Sequence, residues 1–197
     1  KLFIDLGTRS LTQKEVARKV VQLYIDPKNY DAAIVDLKGM FKSAPDSSDL
    51  HFVAGVAFDE KKDKGKAFMH FSKVMPDSNF YKAAAVNITF LYQEQGKIDE
   101  AIIYLKDVIK KIPDKPDFML YLGSFYEEKK EFEKAENVLK KGLEIDSENT
   151  NLHFRLGVVY DKWGRKEAST EEMKTVISLD PTHANALNYL GYTYYDL

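Results

Sequence analysis

The chain contains no cysteine, which excludes disulfides, thiolate metal sites and cysteine nucleophiles within its 197 residues. No apolar run approaches the roughly 18 residues that a membrane-spanning helix requires. Charge of one sign is also lacking: 29 Lys and Arg stand against 31 Asp and Glu, mixed along the sequence. That balance speaks against a nucleic-acid partner, which would select a basic stripe. No His-Glu-x-x-His motif, phosphate-binding glycine loop or nucleophile elbow is present, so no cofactor, metal or catalytic residue is expected. Glycines number only 10 and prolines only 6, yet several of each recur at fixed intervals.

That regularity belongs to a wider pattern. Tyr24, Phe58, Tyr92, Tyr126, Tyr160 and Tyr194 are spaced 34 residues apart. A fixed period of this length marks one supersecondary element copied end to end, each copy burying its apolar face on the next. With Lys14 as the first place, the twentieth place reads Ala33, Ala67, Ala101, Ala135 and Ser169. The eighth reads Val21, Gly55, Thr89, Gly123, Gly157 and Gly191, although a helical glycine costs about 1 kcal/mol relative to alanine. Two helices of one repeat are therefore expected to cross closely at the eighth and twentieth places. Bulky residues fill the seventh place (Ile88, Leu122, Leu156, Leu190) and the twenty-fourth (Leu37, Phe71, Leu105, Leu139, Met173).

Pro45, Pro113 and Pro181 at the thirty-second place stop the second helix, and Gly96 and Gly164 at the fifteenth suit the link between the two. Pro76 comes three residues early, which predicts a local change between the second and third repeats. Leu122-Gly123 with Tyr126, Leu156-Gly157 with Tyr160, and Leu190-Gly191 with Tyr194 then carry a resemblance to tetratricopeptide repeat proteins, covering residues 14–197. Ala186 to Tyr192 is similar to bacterial members of the family, many of them exported or lipid-anchored. The resemblance implies an all-α fold, a right-handed superhelical solenoid of antiparallel helix pairs.

The expected repeats are 14–47, 48–81, 82–115, 116–149 and 150–183, with 184–197 the first helix of a sixth. Together they make one elongated domain with no room for a catalytic one. Thr12 to Glu15 has the form of a capping box that opens the first repeat, leaving 1–13 as an arm or the remnant of a preceding element. A start at Lys1 and a stop inside a first helix are read as the ends of an excised fragment, so both a cytoplasmic and an exported location stay open.

At about 100° per residue, the second, fifth, ninth, twelfth and thirteenth places share a face of each first helix, opposite the packed one. The resemblance puts that face on the concave side, where the family commonly receives an extended peptide or a helix. Its fifth and ninth places hold Phe52 and Val56, Val86 and Phe90, Leu120 and Ser124, and Phe154 and Val158. An acidic rim follows at Asp59, Glu60, Glu94, Glu127, Glu128 and Asp161. An apolar floor beside an acidic edge suits a protein or peptide with spaced apolar side chains and some Lys or Arg. Neighbouring first helices also touch one another, so packing between repeats competes for Phe52, Phe90 and Phe154. Lys, Asn and Arg at the fifth and ninth places, which grip a chaperone's C-terminal carboxylate in some members, are absent; only Arg18 and Gln22 are polar there before Ser124.

The expected function is thus a non-catalytic scaffold binding a partner's peptide or helix. The alternatives are a structural spacer or self-assembly module, associating through Leu187, Leu190 and Tyr194 at the uncovered end, or the repeat region of a longer protein with a catalytic domain elsewhere. His51 and His153 share the fourth place and are read as packed, while His70 and His183 are expected to be isolated surface or linker residues.

Overall fold

A computed structural model describes residues 28–195, and the expected capping box, Arg18, Gln22 and the arm 1–13 lie outside the described residues. Among them are ten α-helices and no strand: α1 (Tyr30–Met40), α2 (Ser48–Glu60), α3 (Lys64–Phe71), α4 (Tyr81–Glu94), α5 (Ile98–Lys111), α6 (Pro116–Glu128), α7 (Phe132–Ile145), α8 (Thr150–Lys162), α9 (Lys166–Leu179) and α10 (Ala184–Tyr195). The protein is all-α. It divides between Gly96 and Lys97 into two compact units, inside what the period reads as the third repeat.

In the N-terminal unit, Ser47, Asp63 and Asn29 cap their helices, each side chain accepting from an amide of the first turn. Ala33 and Leu37 of α1 pack with Leu50, Val53, Ala54 and Ala57 of α2 into one cluster that also draws in Ile34, Met40 and Phe41. Helix α3 has 8 residues where α5, α7 and α9 each have 14. The early Pro76 explains this, because proline removes an amide donor and disfavours helix before it. Beyond α3, the Met75 amide instead donates to Ser48 Oγ at 3.0 Å.

In the C-terminal unit, α6 begins on Pro116 at its first turn, and Asn149 caps α8. Ala101, Leu105, Ala135, Leu139 and Ser169 are fully buried. The Ser169 hydroxyl donates to the Gly157 carbonyl at 2.8 Å, placing the twentieth place of one helix against the eighth of its partner.

The close approach expected at those two places involves a third. A Cβ added at Gly55 would stand 2.5 Å from the Phe71 ring, and one at Gly123 would stand 2.6 Å from Leu139. The twenty-fourth-place side chain fills the space above the glycine, so it is that residue which the missing Cβ accommodates. The helix-to-helix turns share a second backbone demand. Lys28, Lys62, Gly96, Lys130 and Gly164, all at the fifteenth place, have positive φ, and three of the five are lysine.

Candidate functional site

On the N-terminal unit the nominated face comprises Phe52, Val56, Asp59 and Glu60 of α2 and Val86, Phe90 and Glu94 of α4. Phe52 is half-buried, its ring stacked on Phe80 at 4.7 Å and tilted against Phe71 at 5.8 Å. Its apolar surface is therefore used in packing between helices. Val56 and Val86 are half-buried, whereas Phe90 is 45% exposed. Lys64 of α3 reaches both Asp59 (2.8 Å) and Glu94 (2.9 Å), tying the rim of α2 to that of α4. Those two hydrogen bonds hold its ammonium above the usual lysine range. Glu60 accepts from the Tyr30 hydroxyl at 3.3 Å.

On the C-terminal unit the face comprises Leu120, Ser124, Glu127 and Glu128 of α6 and Phe154, Val158 and Asp161 of α8. Leu120 is half-buried, and the Ser124 hydroxyl donates to its carbonyl at 2.9 Å. Phe154 and Val158 pack on the cluster of Met173, Val176 and Ala186. Glu127 is buried, and its carboxylate receives both Arg155 and Lys162. Asp161 pairs with Lys166 and accepts from the Tyr189 hydroxyl at 3.0 Å. Glu128 is exposed. Much of the acidic rim is thus neutralised within the fold, by cations that the sequence reading did not pair with it: Lys64, Arg155, Lys162 and Lys166.

The histidines depart in part from expectation. His51 is buried, as its place predicts. His70 is not isolated: its Nδ1 lies 2.9 Å from His51 Nδ1, and its ring stacks between Phe41 and Phe58. The reason is register, since the twenty-third place of the second helix faces the fourth place of the first. The same places hold His153 and Glu172, 2.7 Å apart. His183 lies in the linker before α10, as expected, but is not isolated: its Nδ1 accepts from the Ala186 amide at 3.2 Å and its ring lies 4.9 Å from Phe154.

Sequence reasoning also passed over Trp163, whose ring stacks on Phe132 and carries the Arg165 guanidinium 3.5 Å from its centroid. It borders a shallow hollow with Lys130, Glu131 and Lys134. Among the described residues, no group of three or more His, Cys, Asp or Glu is placed to hold a metal ion, and no helix is long and apolar enough to cross a membrane.

The tetratricopeptide repeat profile matches residues 92–156, and a second tetratricopeptide repeat profile matches 150–183. Over 150 residues the chain is 29% identical to a TPR repeat-containing protein of Pseudomonas aeruginosa, covering 74% of this chain and 25% of that protein. It is 26% identical over 113 residues to superkiller complex protein 3 of Homo sapiens, covering 54% of this chain and 7% of the relative. The chain therefore spans a quarter or less of the length of these relatives. Among solved structures, YrrB, described as a TPR protein with an unusual peptide-binding site, is similar with a TM-score of 0.68 at 15% identity, over 87% of this chain and 88% of that one. MamA gives a TM-score of 0.69 at 17% identity, over 87% and 93%. At such identities the likeness is one of fold.

Proposed function

We propose, from the premise that this chain belongs to the tetratricopeptide repeat family, that it is a non-catalytic scaffold whose first-helix faces receive a peptide or helix of a partner protein. The observation that carries this reading is Phe90. It lies on the face that the period separates from the packed one, and it is 45% exposed on a well-formed helix. Val86 stands one turn before it and Glu94 one turn after. An aromatic ring beside an aliphatic side chain and a carboxylate offers an apolar anchor with a neighbouring acceptor for Lys or Arg.

The pairing of Asp59, Glu94, Glu127 and Asp161 within the fold shifts the weight of recognition toward apolar contact. Glu60 and Glu128, with Glu94 shared with Lys64 but still largely exposed, supply the acidic edge that a basic residue would meet. YrrB's described peptide-binding site supports a peptide as the kind of partner. Binding of the whole chain and of its Phe90→Ala variant to a peptide array of mixed apolar and basic sequences tests the reading. Loss of the same spots in the variant, with unchanged helical circular dichroism, is expected. An unchanged spot pattern contradicts the assignment.

A further inference from the structure

We infer that His51 and His70 form an acid-operated latch in the N-terminal unit: neutral, they join α3 to α2, and protonation of both rings parts the two helices. The inference does not depend on what the protein binds.

The geometry fixes the proton count. His51 Nε2 lies 3.0 Å from the Pro45 carbonyl, which can only accept, so Nε2 carries hydrogen. In neutral His51 this leaves Nδ1 as an acceptor, and at 2.9 Å the hydrogen between the two Nδ1 atoms must come from His70. One proton makes this contact a hydrogen bond. A proton added to one ring alone still leaves one nitrogen donating and the other accepting; when both rings are protonated, each facing nitrogen carries a hydrogen, the contact has no acceptor and two cations oppose one another. The site gives such a charge little relief. His70 stacks against Phe58 at 5.4 Å with the rings 9° apart and against Phe41 at 5.5 Å, and His51 also lies 4.7 Å from Phe41.

The charges acting on the pair are unequal. Lys73 opposes protonation of both rings, and Asp46 favours it at His51 alone. Burial, then the His51 charge and Lys73, pushes His70 down to about 4. Burial also lowers His51, against the raising pull of its hydrogen bond to Pro45. Both folded values lie below the ordinary histidine value near 6.5, so the unfolded chain takes up protons first. The stabilisation is complete above about pH 6.5 and is lost as the pH falls toward about 4.

The other repeat with a fourth-place histidine makes a built-in comparison. His153 Nε2 also meets a carbonyl six residues back, Ser147 at 3.0 Å, but its Nδ1 faces the Glu172 carboxylate rather than a second imidazole. The opposition of two imidazoles is therefore confined to α2 and α3. The latch also sits beside packing that matters to α2, since Phe71 follows His70, covers Gly55 and contacts Phe52.

Amide hydrogen exchange of the whole chain at pH 7.5 and 5.0, corrected for intrinsic rates, tests the latch. Protection in 50–71 is expected to fall about tenfold or more relative to 152–179 on acidification. The variant His70→Gln, whose amide still donates to His51 Nδ1 but does not titrate, and His70→Glu, which copies the His153–Glu172 pair, are expected to remove that difference. Equal change in both segments, or an undiminished acid response in His70→Gln, overturns the inference. Should either variant fail to fold, the imidazole resonances of the unsubstituted protein decide. His70 remaining neutral down to pH 5 supports the latch, and His70 titrating near 6.5 refutes it.

Discussion

The carboxylate of Glu127, 6% exposed, accepts a hydrogen bond from Arg155 Nη1 at 3.0 Å, joining α6 to α8 across a repeat boundary. Lys162 binds the other carboxylate oxygen, and the buried Arg155 Nε has no hydrogen-bond partner. A residue read in sequence as rim charge is thus part of the packing between repeats. Replacing Glu127 with Lys leaves Arg155 and Lys162 facing a third cation. The expected loss is about 2 kcal/mol, below that of a fully buried pair because both basic partners reach solvent. Urea denaturation measures it; a change under about 0.5 kcal/mol would contradict the account.

The turns between paired helices carry a removable strain. Lys62 and Lys130 have φ of 64° and 59°, at the place where Gly96 and Gly164 have 67° and 82°. The left-handed region costs a side-chain-bearing residue about 1 kcal/mol or more, partly offset by the greater freedom of glycine when unfolded. Lys130→Gly is expected to stabilise by about 0.5 kcal/mol, and Gly164→Ala, with nothing crowding its Cβ, to destabilise by about 1 kcal/mol. Thermal denaturation of both variants checks the opposite signs.

Gly123→Ala improves intrinsic helix propensity by about 1 kcal/mol. It also sets a methyl group 2.6 Å from the fully buried Leu139. Overpacking wins, for a net loss of about 1 to 2 kcal/mol. A stabilised variant in a denaturant titration would contradict the close crossing.

Much of the fold was legible because the period is long and each place has one physical task. Ala33, Ala67, Ala101, Ala135 and Ser169 recur at one place and are all fully buried. The site was less legible because a single helical face serves two ends. Phe52 and Phe154 at the fifth place and Phe90 at the ninth share one face in sequence, but Phe52 meets Phe80 and Phe154 meets the Met173 cluster, whereas Phe90 is 45% exposed. The deciding neighbours lie far along the chain, Phe71 and Phe80 for Phe52 and Met173, Val176 and Ala186 for Phe154, beyond the reach of a single helix's pattern. His70 was legible in principle: its spacing from His51 equals that of Glu172 from His153. Seeing it required pairing the fourth place with the twenty-third.

The two uses of phenylalanine separate in stability. Phe52→Ala removes a ring stacked on Phe80 and tilted against Phe71 and is expected to cost about 2 kcal/mol or more. Phe90→Ser, at an exposed position, is expected to cost about 0.5 kcal/mol or less. Parallel urea titrations check the ordering, and equal losses would mean that Phe90 also belongs to the packing.

The most direct test of the binding face is the affinity of an array-selected peptide for the unsubstituted chain and for Phe90→Ser, titrated at low and at physiological salt. The account predicts that Phe90→Ser weakens binding about tenfold, or about 1.4 kcal/mol, at both salt concentrations with an unchanged melting temperature. Glu94→Lys should weaken it mainly at low salt, where exposed charges are least screened. Unchanged affinity in Phe90→Ser, measured on a folded protein, would contradict the proposal that this face receives the partner.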